Sequence, residues 1–158
     1  MTLANILRQN LAETPILKER HELLAAGPDL PWSVNVTFDK RDELSGLAWE
    51  IAVTRTGPEP AGATIQVWAE RIAQYATGLT EPLRIVEIDP ERNEGFLRSA
   101  QPARMDDRIG YFEIFLKGTR HAQVRRYQAS GANGKRTQTG FVLTHESLCK
   151  LVDDISGD

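Results

Sequence analysis

Hydrophobic residues recur along this chain with two different periods, and the change from one to the other marks out its elements. Leu3, Ile6, Leu7 and Leu11 fall on one helical stripe, with Thr2 placed to cap it. Thr14-Pro15 reads as a cap and first-turn pair. With Ile16, Leu17, Leu23 and Leu24 it predicts a second helix stopping at Gly27-Pro28. The period then drops to two. Trp32, Val34, Val36 and Phe38 alternate with polar or small residues, and so do Leu47, Trp49, Ile51 and Val53. These two strands should pair as an antiparallel hairpin across the charged turn 39–46. Beyond the Gly/Pro-rich loop 57–62, Ile65, Trp68, Ile72, Tyr75 and Ala76 share one face of a helix started by Thr64 and ended by Gly78.

The second half reads mainly as strands. Residues 83–88 and 95–98 predict two, and 99–108, polar and holding Pro102, predicts a loop. Strands at 111–117 and 120–128 flank the tight turn Gly118-Thr119. A loop at 130–134 containing Asn-Gly leads to a last strand at 140–144. Thr144 then caps a helix with Leu148, Leu151, Val152 and Ile155 on one stripe. The expectation is one α+β domain over residues 1–158. It comprises N-terminal helices (1–27), strands then helix (32–78), and strands then helix (83–156). The repeated strands-then-helix order suggests a sheet–helix unit duplicated within the chain.

Composition changes this picture little, except through charge. At 158 residues the chain can stabilise a single core. One cysteine, Cys149, excludes an internal disulfide, and no segment reads as a signal or membrane span, so a cytoplasmic location is expected. The formal charge of −3 is unevenly spread. No Asp or Glu stands between Glu113 and Glu146, where Lys117, Arg120, Arg125, Arg126, Lys135 and Arg136 give a local +6.

Little in the sequence proposes catalysis. His21, His121 and His145 belong to no metal-spaced motif, and His145 with Cys149 makes an incomplete pair. The run Gly131 to Thr137 lacks the spacing and the strand-to-helix context of a phosphate loop. The acidic pairs Asp106-Asp107 and Asp89-Pro90-Glu91 sit at turns. The chain is therefore expected not to be an enzyme, and no cofactor or metal is expected. What remains is the basic hairpin. On a strand, His121, Gln123, Arg125 and Tyr127 share a face, with Ala122 and Val124 turned to the core. Arginine beside an aromatic ring suits single-stranded nucleic acid, because guanidinium groups neutralise phosphates and rings stack on bases. The expected contacts are Lys117, Arg120, Arg125, Arg126, Lys135 and Arg136, with Tyr127 as the stacking platform. The alternative is a protein-interaction or assembly module without nucleic acid, favoured by the −9 charge of the remainder.

The residues Lys117-Gly118, Val124-Arg125-Arg126-Tyr127, Lys135, Gly140-Phe141-Val142-Leu143, Glu146 and Leu151 also resemble a family. It is the C-terminal domain of positive cofactor four, a transcriptional coactivator that binds single-stranded DNA. The resemblance covers about the last quarter of the chain. It implies a curved antiparallel sheet backed by a helix, dimerisation through that helix, and a groove in which Lys117, Arg125 and Lys135 match basic residues. Gln128, Gln138, Thr139 and Leu116 depart from the family pattern. Residues 1–110 lie outside it and, on this reading, supply a second half, so that the partner copy is another chain or this chain itself. Whirly proteins share the same strand–helix logic.

Overall fold

The computed structural model describes residues 1–130 and 134–157. Three helices and ten strands follow in the order α1 (Leu3–Glu13), β1 (His21–Ala25), β2 (Trp32–Arg41), β3 (Ser45–Arg55), α2 (Ile65–Tyr75), β4 (Leu83–Asp89), β5 (Glu94–Ser99), β6 (Ala103–Met105), β7 (Arg108–Lys117), β8 (His121–Ser130), β9 (Arg136–Thr139), β10 (Phe141–Thr144) and α3 (His145–Ser156). The strands form one open antiparallel sheet, ordered β1-β2-β3-β8-β7-β5-β4. The α+β class read from the sequence is the class observed. Thr2, Thr64 and Thr144 each accept a backbone N–H and cap α1, α2 and α3.

Alternation explains how the sheet acquires its two faces. Leu23, Val36, Ile51, Val124, Ile114, Leu97 and Ile85 stand opposite one another in register, one from each of seven strands. They join the apolar stripes of all three helices in one core. Leu148, Cys149, Leu151, Val152 and Ile155 of α3 are buried there, so the apolar stripe of that helix is spent inside the chain. Burial pushes the Cys149 thiol up to about 11, so it stays protonated at neutral pH. The Trp68 indole donates to the Ile155 carbonyl (2.9 Å), tying α2 to the end of α3. Among the described residues no helix is long and apolar enough to cross a membrane.

The middle of the sheet is forked. One edge of β3 pairs with β8 over Ile51–Thr54 and with β10 over Ser45–Ala48. The matching edge of β8 pairs with β9 over Arg126–Ala129. The chain therefore runs into the fork along β8 and returns along β3. The bend is at Gly140, where a Cβ would meet Leu47 Cδ1 at 3.0 Å and the Ala48 carbonyl at 3.3 Å. Gln138 Nε2 donates to the Trp49 carbonyl (3.0 Å) inside the fork.

Several expected boundaries move. Residues 14–27 hold no second helix: Thr14 is the C-cap of α1, and 21–25 form the edge strand β1. The cause is tertiary. Register shifts leave Asp39 of β2 and Trp49 of β3 as extra, bulged residues. Arg20 holds both, pairing with Asp39 (2.7 Å) and lying over the Trp49 ring (4.5 Å), which draws 14–20 across the sheet end. The bulge also turns Leu47 and Trp49 away from the core, which takes Gly46 and Ala48 instead. The expected loop 99–108 contains β6, paired with β7. The last strand is preceded by β9. Of the expected loop 130–134, residues 131–133 lie outside the described residues.

His145, the first residue of α3, gives the fold a pH dependence. Burial, then the charge of Arg41, push its pKa below the ordinary histidine value, outweighing Asp42 and Glu146. The folded chain thus binds fewer protons at this site than the unfolded one. Stability is complete above about pH 6.5, the unfolded value, and falls as pH drops through the window below it. Asp42 and Glu146 are themselves pushed down and stay ionised there, Asp42 by the Leu44 and Ser45 N–H groups and Glu146 by Arg8. Urea midpoints at pH 7 and 5.5 should separate in the wild type and converge in His145→Gln.

Candidate binding face

With all three helices on one side, the other side of the sheet lies open, and register arranges it in rows across the strands. One row runs Glu94, Lys117, His121, Thr54 and Ser33. The next runs Phe96, Phe115, Gln123, Ala52, Asn35 and Leu24. The third, Arg98, Glu113, Arg125 and Glu50, alternates in sign, and the fourth holds Tyr111, Tyr127 and Gln138.

The rings pair across strands. Phe96 and Phe115 have centroids 5.0 Å apart, and Tyr111 and Tyr127 6.0 Å apart. Arg136 lies over Tyr127 at 3.9 Å and Arg98 over Tyr111 at 5.5 Å. Glu113 joins these arginines, its Oε2 accepting from Arg98 Nε (2.8 Å) and Arg136 Nη1 (2.7 Å), with its side chain only 5% exposed. A cavity of about 340 Å³ opens beside them, lined by Phe96, Phe115, Gln123, Arg125 and Tyr127 among others.

The expected nucleic-acid residues are placed as follows. Arg125 and Arg136 share the open face. Arg125 pairs with Glu50 (3.3 Å), and its pKa is raised, first by a hydrogen bond with Tyr127 and then by the Glu50 charge. Burial pulls Arg136 down, but bonds with Glu113 and Tyr111 outweigh it and the net shift is upward. Tyr127 reaches that face but is buried beneath Arg136 and offers no free ring for stacking. Arg126 points to the opposite side, against the Phe112 ring (4.5 Å), and pairs with Glu81 (3.3 Å). Arg120 sits at the β7–β8 turn, donating to the Arg55 and Gly57 carbonyls and pairing with Glu59 (3.6 Å). Lys117 and Lys135 are exposed and have no ion pair or hydrogen bond among the described residues. They stand at opposite ends of the β7–β8 ribbon, about 30 Å apart at a strand rise of ~3.3 Å per residue.

Thus the run that is +6 along the sequence is largely neutralised in space. Four of its six cations meet carboxylates: Glu50, Glu59 and Glu81 from the chain before β4, and Glu113 from β7. Sequence reasoning missed these partners. One signal was available: Glu113 interrupts the apolar run Tyr111 to Leu116, and a carboxylate on such a strand demands a cation. Among the described residues no group of three or more His, Cys, Asp or Glu side chains is arranged to hold a metal. No family model, curated protein or solved structure matches the chain.

Proposed function

We propose that the protein is a protein-binding module that docks a partner on the open face of its sheet. The observation that carries this reading is an uncovered face whose central rings are paired and whose charges are already matched, Arg98 and Arg136 on Glu113 and Arg125 on Glu50. Aromatic and arginine side chains on such a surface anchor protein interfaces. Charges that are matched beforehand leave no lone ion to desolvate when a partner covers them. Phosphates, in contrast, would lie against Glu50, Glu94 and Glu113 and compete with them for the same arginines. The two unpaired lysines are too far apart to replace those arginines in one groove.

The test places a photo-cross-linking residue at position 123, in the middle of the face, in cells. A discrete protein adduct should form there and not when the residue is moved to Glu91 on the β4–β5 turn. A labelled oligothymidylate should show no anisotropy change with about 10 μM protein at about 50 mM salt, where phosphate contacts are strong. Oligonucleotide binding that is lost in Arg125→Ala would overturn the proposal in favour of single-stranded nucleic acid.

A further inference from the structure

One row of the open face runs without charge over six strands and ends opposite Glu87 of β4, the partner of Phe96. It takes a residue from each of six strands: Leu24, Asn35, Ala52, Gln123, Phe115 and Phe96. On one side stands the alternating row Arg98, Glu113, Arg125 and Glu50, whose charges cancel. On the other, Glu94 faces Lys117. From Asn35 to Phe115 the row is therefore a neutral trough between walls of mixed sign. Its floor dips at Ala52, the smallest side chain in it. The Asn35 and Gln123 amides on either side of Ala52 form no hydrogen bond among the described residues. Each amide offers two donors and an acceptor, the same groups that a peptide bond needs. The Phe96–Phe115 pair and the 340 Å³ cavity close one end, and Leu24, 61% exposed, marks the other.

We propose that this row is the seat of one extended polypeptide segment of the partner, lying across the strands; the inference rests on the protein-binding reading above. Six strands about 4.8 Å apart span roughly 24 Å, the length of about seven extended residues. Asn35 and Gln123 bond the segment's backbone. Phe96 and Phe115 take an aromatic or large aliphatic side chain near one end. The central residues are uncharged, because the charges beside the row are already paired with one another and leave a buried ion without a partner.

Panning a displayed library of linear heptapeptides against the full chain tests this. Enriched peptides should carry one bulky apolar residue and few charges. Their synthetic, labelled forms should bind the wild type and Ala52→Ser equally. They should bind Ala52→Trp, which fills the dip, at least about tenfold more weakly, a change of ~1.4 kcal/mol. Gln123→Glu, which adds a charge without bulk, should weaken binding similarly and guards against misfolding of the tryptophan variant; melting curves confirm the fold of each. Undiminished binding to both variants overturns the trough. So does a cross-link from position 123 to a protein without any enriched peptide, which means that a folded surface covers the face. Loss of the cross-link as well removes the protein-binding reading itself.

Discussion

Replacing Arg41 by alanine should lower the unfolding free energy by about 3 kcal/mol, the upper end of the cost of leaving buried acceptors unpaired when a charged donor is removed. Arg41 is 4% exposed at the end of β2. Its guanidinium donates to the carbonyls of Leu11 (2.9 Å), Thr14 (3.0 Å) and Pro15 (3.0 Å). The end of α1 leaves carbonyls without helical partners and carries the negative pole of the helix, so a cation there meets both needs. Burial pulls the pKa of Arg41 down, yet an arginine this far above neutrality stays charged. Alanine leaves three acceptors unpaired and opens space beside Phe38, whose ring centroid lies 6.0 Å from the guanidinium carbon. Lysine keeps the charge but lacks the fork that reaches three acceptors, so Arg41→Lys should recover less than half. Urea midpoints at pH 7, read at constant slope, measure both. The alanine variant should also be cut faster by protease in 14–20, which Arg41 ties to the sheet. A loss under 1 kcal/mol would show that water replaces the guanidinium, and the strap would then be held by Arg20 and by the Arg41 N–H bond to the Leu17 carbonyl (3.0 Å).

That strap shows where the sequence stops being informative. Ile16, Leu17, Leu23 and Leu24 have spacings that fit a helix, but Leu23 and Ala25 equally fit the inward face of a strand. The choice was made by Arg20 on the bulged Asp39 and Trp49 and by Arg41 on the α1 carbonyls. Each contact joins residues far apart in sequence, so a local pattern cannot carry it. Strand β6 is exposed throughout and β9 is Arg-Thr-Gln-Thr, so neither had an apolar period to read. In contrast, α2 and α3 were legible because capping threonines and apolar stripes agree, and β2, β7 and β8 because one face is buried. The candidate site was half legible. Alternation put Gln123, Arg125 and Tyr127 on one face. The carboxylates opposite them depend on strand register, which a single sequence does not contain. A charge run is a fact about the chain; a charge patch is a fact about the fold.

Glu113→Gln should separate the stability of the open face from its binding preference. The side chain keeps its shape and loses only its charge. In the wild type one carboxylate serves Arg98 and Arg136, with Arg125 next to it in the same row. Glutamine leaves three guanidinium groups in that row and in the ring stack with Glu50 as their one remaining carboxylate partner. Arg98 and Arg136 are 41% and 39% exposed, so water and salt screen part of their repulsion. The expected loss is therefore about 2 kcal/mol, below the 3–5 kcal/mol typical of a fully buried broken pair. Added salt should shrink it, as screening of partly exposed cations requires. The Arg41→Ala loss, which comes from unpaired carbonyls, should barely respond to salt. The same variant removes one negative charge from the face and frees Arg136 from its carboxylate. It should gain a weak, salt-sensitive affinity for oligothymidylate that the wild type lacks, and lose none for peptides seated in the neutral row. If Glu113→Gln leaves oligonucleotide binding unchanged at low salt, then paired carboxylates are not what keeps phosphate away from this sheet. The electrostatic argument for a protein partner would then fail, with the fold intact.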